Sequence, residues 1–300
     1  MREFNQTTGI KSMKRVAKDL LYYPVVADDL TGLLVCHPFF TTIHTMVRVD
    51  GKNIEADITT ADGLKLARQY YEGLIDRVEK CNDFFTLFRT PYLPLFFKKS
   101  LNYFSRKDYS EFLAEMWVRV EYPNNCPYFA HCSLVRTFIN ADKKILMDNK
   151  ERRVLKKLPE EVVVYRGVKP DAKIKALSWT LSYDTAKWFA DRFEENGTVY
   201  RARIKKNDIL AYFEGRGESE VVVNPTKLHR IERIANYGSL ADRLRFYRNN
   251  LGLTQQKLAE KTCIGRDSIA RYETGDRNPT AENLQLLADA LEVSLKTLIQ

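Results

Sequence analysis

The hydrophobic pattern of this 300-residue chain changes period twice, which rules out one uniform fold. Through the first half, apolar residues recur at helical spacing. From Glu161 they run as β-branched or alternating stretches, the mark of strands. After the short linker Asn236-Tyr237-Gly238-Ser239 they return to helical groups. The expected fold is therefore α+β in three regions. These are a mostly helical lobe over 1–150, a mixed core over 151–235 and an all-α domain over 239–300, a division that suits the length.

In the first region Lys14–Tyr23 and Thr60–Lys80 read as helices, the second with Leu64, Leu66, Ala67, Tyr70, Tyr71, Leu74, Ile75 and Val78 roughly on one side. Thr41–Val49 has strand character and runs into the turn pair Asp50-Gly51. Pro91 and Pro94 punctuate an aromatic stretch from Phe84 to Phe104. Asp108 opens a helix that places Phe112, Leu113, Met116 and Trp117 at core spacing, and Tyr122-Pro123-Asn124-Asn125 ends it. Helical pattern resumes over Ala130–Phe138 and Lys143–Leu158. Nothing sets these aromatics apart from buried helix faces, so they are expected in the core.

The character changes at Leu158-Pro159. Glu161–Tyr165, Thr198–Ile204, Ile209–Phe213 and Glu220–Val223 read as strands, with Asn196-Gly197 as a turn and Asn224-Pro225 as a terminator. Asp184 caps a helix carrying Ala186, Phe189, Ala190 and Phe193 on one face. The final region holds five short helical groups: Leu240–Asn249, Gln255–Lys261, Arg266–Glu273, Ala281–Leu291 and Leu295–Ile299. Thr254 and Thr280 are in capping positions.

A net charge of +9 and a pI near 9.2 suit an acidic partner, either nucleic acid or a diphosphate cofactor. The excess is uneven. Residues 239–300 carry nine Lys/Arg against eight Asp/Glu, whereas 151–238 carry 18 against 13. Strong non-specific DNA affinity is not expected of the last region alone, because phosphate neutralisation sets it. Five scattered cysteines without Cys-x-x-Cys argue for a reducing compartment. Cys126, His131 and Cys132 have no second cluster at zinc spacing, so no metal is expected. The N-terminus lacks an apolar signal core and no apolar run approaches the roughly 20 residues of a membrane span, which points to a soluble, cytoplasmic protein.

Three motifs in the middle region carry chemistry: Tyr165-Arg166-Gly167, Ser178-Trp179-Thr180 and Glu218-Ser219-Glu220. Arg166 ends the first strand, and Gly167 would let the backbone approach a ligand. Glu218 and Glu220 alternate along an extended segment and should face the same side. Taken singly, the motifs read as a surface ion pair, a cap or turn, and a solvated face. Their order, spacing and shared strand context favour a site. A guanidinium suits diphosphate oxygens, and a carboxylate stabilises the oxocarbenium-like ribose formed when a nicotinamide–ribose bond breaks.

The segment Val163–Pro225 resembles the core of the arginine–serine–glutamate branch of ADP-ribosyltransferases, about a quarter of the chain. The resemblance implies a split-sheet core that binds NAD. It assigns Arg166 to holding the cofactor, Ser178 to the first serine of the family's Ser-Thr-Ser motif, Glu220 to the catalytic glutamate and Glu218 to assisting the acceptor. Gly167, Trp179 and Thr180 would line the cofactor site, with Trp179 standing where the family has a small residue. Phe189 corresponds to the aromatic that packs on nicotinamide, with core packing equally open from its helical spacing. Phe213, Glu214 and Arg216 correspond to the target-recognition loop.

Residues 239–300 are similar to the phage-repressor type of helix-turn-helix domain. The resemblance rests on Leu253-Thr254-Gln255-Gln256-Lys257-Leu258-Ala259-Glu260-Lys261 followed by Ile264-Gly265-Arg266-Asp267-Ser268-Ile269-Ala270-Arg271-Tyr272-Glu273-Thr274-Gly275. It implies DNA as a partner, contacted by Gln255, Arg266, Asp267, Ser268 and Arg271, and allows a homodimer on symmetric half-sites. Arg266 suits guanine, and Gln255 suits phosphate or adenine. Asp267, a carboxylate facing an anionic partner, is better suited to orienting Arg266. The alternative is a protein-interaction bundle that keeps the fold.

Together these readings describe an NAD-dependent mono-ADP-ribosyltransferase that modifies a macromolecular acceptor, protein or nucleic acid, and carries a DNA-binding tail, as in toxin or phage-conflict proteins. Two alternatives remain: a transcription regulator whose central domain senses a nucleotide without reacting, and an NAD glycohydrolase.

Overall fold

The computed structural model describes all residues other than 1, 29–30, 122, 170–171, 193–196, 235–238 and 300, and the backbone alone of residue 125. The expectations placed on Tyr122, Phe193, Asn196 and the linker residues Asn236, Tyr237 and Gly238 lie outside the described residues.

Along the chain run α1 (Ile10–Leu21), β1 (Val26–Ala27), β2 (Val35–Cys36), β3 (His44–Val49), β4 (Lys52–Asp57), α2 (Ala61–Asp76), α3 (Phe84–Leu87), α4 (Leu93–Ser100), α5 (Arg106–Arg119), α6 (His131–Asn140), α7 (Lys143–Leu146) and α8 (Asn149–Lys157). They continue with β5 (Glu161–Val168), β6 (Ser178–Thr180), α9 (Tyr183–Asp191), β7 (Thr198–Lys205), β8 (Ile209–Phe213), β9 (Glu220–Val223) and β10 (His229–Ile234). The chain ends in α10 (Leu240–Asn250), α11 (Gln255–Thr262), α12 (Arg266–Thr274), α13 (Ala281–Ala290) and α14 (Leu295–Ile299). Helix and sheet are thus mixed until the last 60 or so residues, which are helical. No helix among the described residues is long and apolar enough to cross a membrane.

Two compact units share the chain: Met1–Val164 with Lys175–Leu181 and Arg203–His229, and Tyr165–Ile174 with Ser182–Ala202 and Arg230–Gln300. In the first unit the Asp50-Gly51 turn joins β3 and β4 into an antiparallel hairpin, with both residues at positive φ. Thr60 caps α2 through the Gly63 N–H, and Ser105 caps α5 through the Asp108 N–H, two residues ahead of the expected start. The single helix expected over Lys143–Leu158 is two. Asp148 and Glu151 form a capping box that stops one turn and starts the next.

The aromatic stretch is core, as its spacing implied. Phe84, Phe96, Phe97 and Phe112 are fully buried, with Phe85 and Phe112 stacked at 4.2 Å and Phe84 and Phe96 tilted against each other at 4.6 Å. Pro94 sits in the first turn of α4, where its missing N–H costs nothing. Toward the end of this unit β6, β9 and β8 lie side by side in that order, all antiparallel. Thr180 and Phe213 both register with Glu220.

In the second unit β10, β7 and β5 are neighbours in that order. Strand β5 continues to Val168, so Arg166 lies within the strand and not at its end. Gly167 has a packing role in place of the expected ligand approach. A Cβ built there would lie 1.7 Å from the Ala186 carbonyl oxygen, so glycine lets α9 rest directly on β5. Tyr183 of α9 meets Phe246 of α10 at 4.9 Å and Tyr247 at 6.0 Å, and Tyr165 stands 6.3 Å from Phe246. The Thr297 hydroxyl donates to the Asp184 carboxylate at 3.1 Å. The last helices are therefore packed on α9 and β5 within this unit.

His37, fully buried in the first unit, carries a pH signature. Its Nδ1 accepts the N–H groups of Phe39 and Phe40, and its ring stacks on Phe40 at 4.4 Å. Burial holds the imidazole neutral and lowers its pKa from 6.5 to about 4. The folded value is depressed, so the unfolded chain takes up the proton first. The contribution is intact above pH 6.5 and is lost as pH falls from there toward 4. Urea midpoints should fall by roughly 1–2 kcal/mol equivalent between pH 8 and pH 5, and His37→Phe should flatten that slope.

Candidate functional site

The first unit collects a compact polar group around Glu220. The Glu220 side chain is 4% exposed. Its Oε1 accepts the Trp117 indole N–H at 3.0 Å in buried surroundings, and the Ser178 hydroxyl hydrogen-bonds the same carboxylate. Burial pushes the carboxyl pKa up, while Ser178, Trp117 and the charge of Arg216 oppose that rise. The two strands explain why serine and glutamate meet: β6 and β9 pair with Ser178 opposite Val222 and Thr180 opposite Glu220.

Other candidates of this unit are placed differently from the sequence expectation. Glu218 and Glu220 do not alternate along one strand. Ser219 has φ +45°, a left-handed residue that breaks the extended run, and β9 begins at Glu220. Glu218 stays in the preceding loop, paired with Arg216 at 3.5 Å, and its carbonyl accepts the Thr180 hydroxyl at 2.6 Å. Trp179 is 2% exposed and donates its indole N–H to the Ala176 carbonyl at 3.0 Å, so it serves the core in place of lining a cofactor site. Phe213 is 4% exposed at the end of β8, not displayed on a target-facing loop. Glu214 bonds the Tyr212 hydroxyl, and the Ser219 hydroxyl donates to it at 3.3 Å. Arg216 is exposed.

Sequence reasoning missed two residues. Trp117 was legible only as a core aromatic; the single available hint is that a buried indole N–H needs an acceptor. By sequence Asn124 is part of a helix terminator. Its Oδ1 accepts the backbone N–H of Leu177 at 2.9 Å and of Ser178 at 3.2 Å. His131 lies 3.0 Å from the Asn124 carbonyl through Nε2. Arg166, Gly167 and Phe189 belong to the second unit, where Phe189 is half-buried and meets Trp188 edge-on at 5.0 Å.

The second unit also holds a helix-turn-helix. Thr254 caps α11 through the Lys257 N–H, and Cys263, at φ +57°, makes the left-handed turn that ends it. After Ile264-Gly265 the chain enters α12. Leu258, Ile264, Ile269 and Tyr272 are buried between the two helices and their neighbours, while Arg266, Asp267 and Arg271 are exposed. Ser268 is half-buried. Gln255 is not a free contact residue: its amide donates at 2.9 Å to Glu273, which is 2% exposed. Arg248 completes this brace with a fork, Nε to Oε1 at 2.5 Å and Nη2 to Oε2 at 2.9 Å. One signal existed. Glu273 follows buried Ile269 by four residues, which puts a carboxylate on an apolar helix face.

Comparison with known proteins falls on this region. A helix-turn-helix family model matches residues 244–298. The control protein C.SmaI of Serratia marcescens is 40% identical over 60 residues, 20% of this chain and 71% of that protein. The repressor RstR of a cryptic CTXphi phage in Vibrio cholerae is 39% identical over 59 residues, and the regulator DicA of Escherichia coli K12 is 38% identical over 56. The chain spans about half the length of these last two, 53% and 42%. Among solved structures, the restriction-modification controller protein C.AhdI of Aeromonas hydrophila matches at 33% identity and TM-score 0.20, covering 20% of this chain and 91% of that one. Through these C-terminal residues the chain belongs to the helix-turn-helix family.

The brace sets a stability expectation. Glu273→Ala would leave Arg248 nearly buried and unpaired, at a cost of about 3 kcal/mol or more. Thermal unfolding should show the loss.

Proposed function

We propose that this protein is a DNA-binding transcription regulator, which reads its operator through α12. The carrying observation is the exposed row Arg266, Asp267 and Arg271 on a helix held at a fixed angle by the Arg248–Gln255–Glu273 brace. This is the geometry in which a second helix enters the major groove with its N-terminal residues at the base edges. Similarity to proteins named as a repressor, a regulator and a control protein supports the same reading. Arg266, first in the helix, suits bidentate contact with guanine, and Arg271 suits phosphate.

Selection from a random duplex pool by the full-length protein tests this. A defined motif is expected. Arg266→Ala should weaken it by about 1–3 kcal/mol and relax one position, whereas Arg271→Ala should weaken all sequences alike and lower the salt slope. Recovery of no motif would remove the DNA-reading role. Half-sites one helical turn apart would mark two copies acting together.

A second reading, ribosyl transfer from NAD in the central region, is favoured by one observation: Ser178 and Glu220 are hydrogen-bonded on paired strands. In that chemistry the C1′–N bond breaks, nicotinamide leaves with the electron pair, and Glu220 stabilises the ribosyl cation. An acceptor lone pair then closes on C1′ and its proton is lost to solvent. Since Glu220 is 4% exposed, the ribose reaches it only if the surrounding side chains open.

Incubation with labelled NAD separates the cases. Nicotinamide with a labelled macromolecule means transferase; nicotinamide with free ADP-ribose means glycohydrolase; binding without release means sensor. Under the transfer reading Glu220→Gln should abolish release while the melting temperature holds. Release by that variant at the wild-type rate would take Glu220 out of the chemistry.

A further inference from the structure

We propose that Trp117 and Asn124 are positioning residues: from one stretch of the N-terminal lobe they hold both members of the Ser178–Glu220 pair in place. What Glu220 acts on rests on the ribosyl-transfer reading above. How it is held rests on geometry alone.

Two anchors converge from residues 106–125. Trp117, on α5 and 1% exposed, gives its N–H to Glu220 Oε1 at 3.0 Å. Its own ring is fixed edge-to-face on Phe138 at 4.9 Å, with the planes at 88°. Asn124, just beyond α5, accepts both Leu177 N–H and Ser178 N–H on one oxygen, which sets where β6 begins and where the Ser178 side chain departs. One anchor therefore acts on the carboxylate directly and the other on its serine partner.

A comparison inside the molecule shows that this is more than core filling. Trp179, equally buried, satisfies its indole N–H on a main-chain carbonyl, the ordinary solution. Trp117 spends its N–H on a carboxylate that burial would otherwise favour in the neutral form. Phenylalanine would fill the same space without that bond. An N–H donated to the carboxylate both aims it and opposes the rise that burial causes, favouring the anion, the form that can face a developing cation.

The charged groups that act on Glu220 are Arg216, which favours the anion, and Glu218, which opposes it; Ser178 and Trp117 add hydrogen bonds. Neither substitution proposed below touches Arg216 or Glu218.

The test uses the full-length protein labelled with ¹³C at the glutamate side-chain carboxyl carbon, with the Glu220 resonance assigned by its loss in Glu220→Gln. Trp117→Phe and Asn124→Ala should each move the Glu220 titration to higher pH, the first by loss of a donor and the second by loosening Ser178. Side chains that only fill the core would move the melting temperature but not this midpoint, and the split between kcat and KM separates positioning from mere stabilisation. If NAD is turned over, both variants should lower kcat, on the order of ten- to a hundred-fold, with KM little changed. Unchanged midpoints in both variants overturn the proposal, and so does unchanged kcat in an enzyme that works. If Trp117→Phe fails to fold, Asn124→Ala, at a half-buried turn, decides alone. Absence of nicotinamide release by wild type sinks the ribosyl-transfer reading, while the titration still decides whether Trp117 and Asn124 govern Glu220.

Discussion

A carboxylate taken out of water must be given donors, and this one constraint organises the polar chemistry of both units. In the first, Glu220 draws the Trp117 indole and the Ser178 hydroxyl to itself. In the second, Glu273 draws Arg248 and Gln255. Each cluster ties together stretches that lie far apart or on separate helices. Helix α5 cannot slide along β9 without stranding Glu220. The angles between α10, α11 and α12 cannot change without stranding Glu273 or Arg248. Around such groups the apolar core supplies most of the stabilisation, and the hydrogen bonds choose one arrangement of it.

Under the proposed role the bracing matters, because contact with base edges is a matter of angle. A helix of nine residues presents Arg266, Asp267 and Arg271 usefully only if the helix before it holds still. Glu273 achieves this from the inner face of the same helix. The helix-turn-helix does not hang free in its unit either. Phe246 and Tyr247 of α10 pack on Tyr183, and Thr297 of α14 bonds Asp184. The face of α10 and α14 is occupied while Arg266, Asp267 and Arg271 of α12 stay exposed, as the proposed role requires.

The helix-turn-helix was readable because its signals are local. Caps at Thr254 and Thr280, buried residues at i and i+4, and a turn between two short helices all act within a few residues of each other. Strands β5, β7, β8 and β9 were readable for the same reason, whereas β6 and β10 were not expected. What was misread involved neighbours distant in the chain. Gly167 suggested an approach to a ligand, yet the backbone it meets belongs to α9, some twenty residues on. Glu218 and Glu220 suggested one face of a strand until a single left-handed residue, Ser219, separated them. Gln255 suggested a DNA contact, but its partner Glu273 sits a helix away.

The amino-acid order alone determined the alternation of helical and extended stretches, the existence of the terminal five-helix group and the residue types from which any site could be made. These follow from spacing and propensity, which act between near neighbours. Only the tertiary structure decided which carboxylates would be buried and who would serve them. Desolvation and hydrogen-bond partnership depend on distance in space, and nothing in the local order announces that Trp117 meets the Ser178–Glu220 pair.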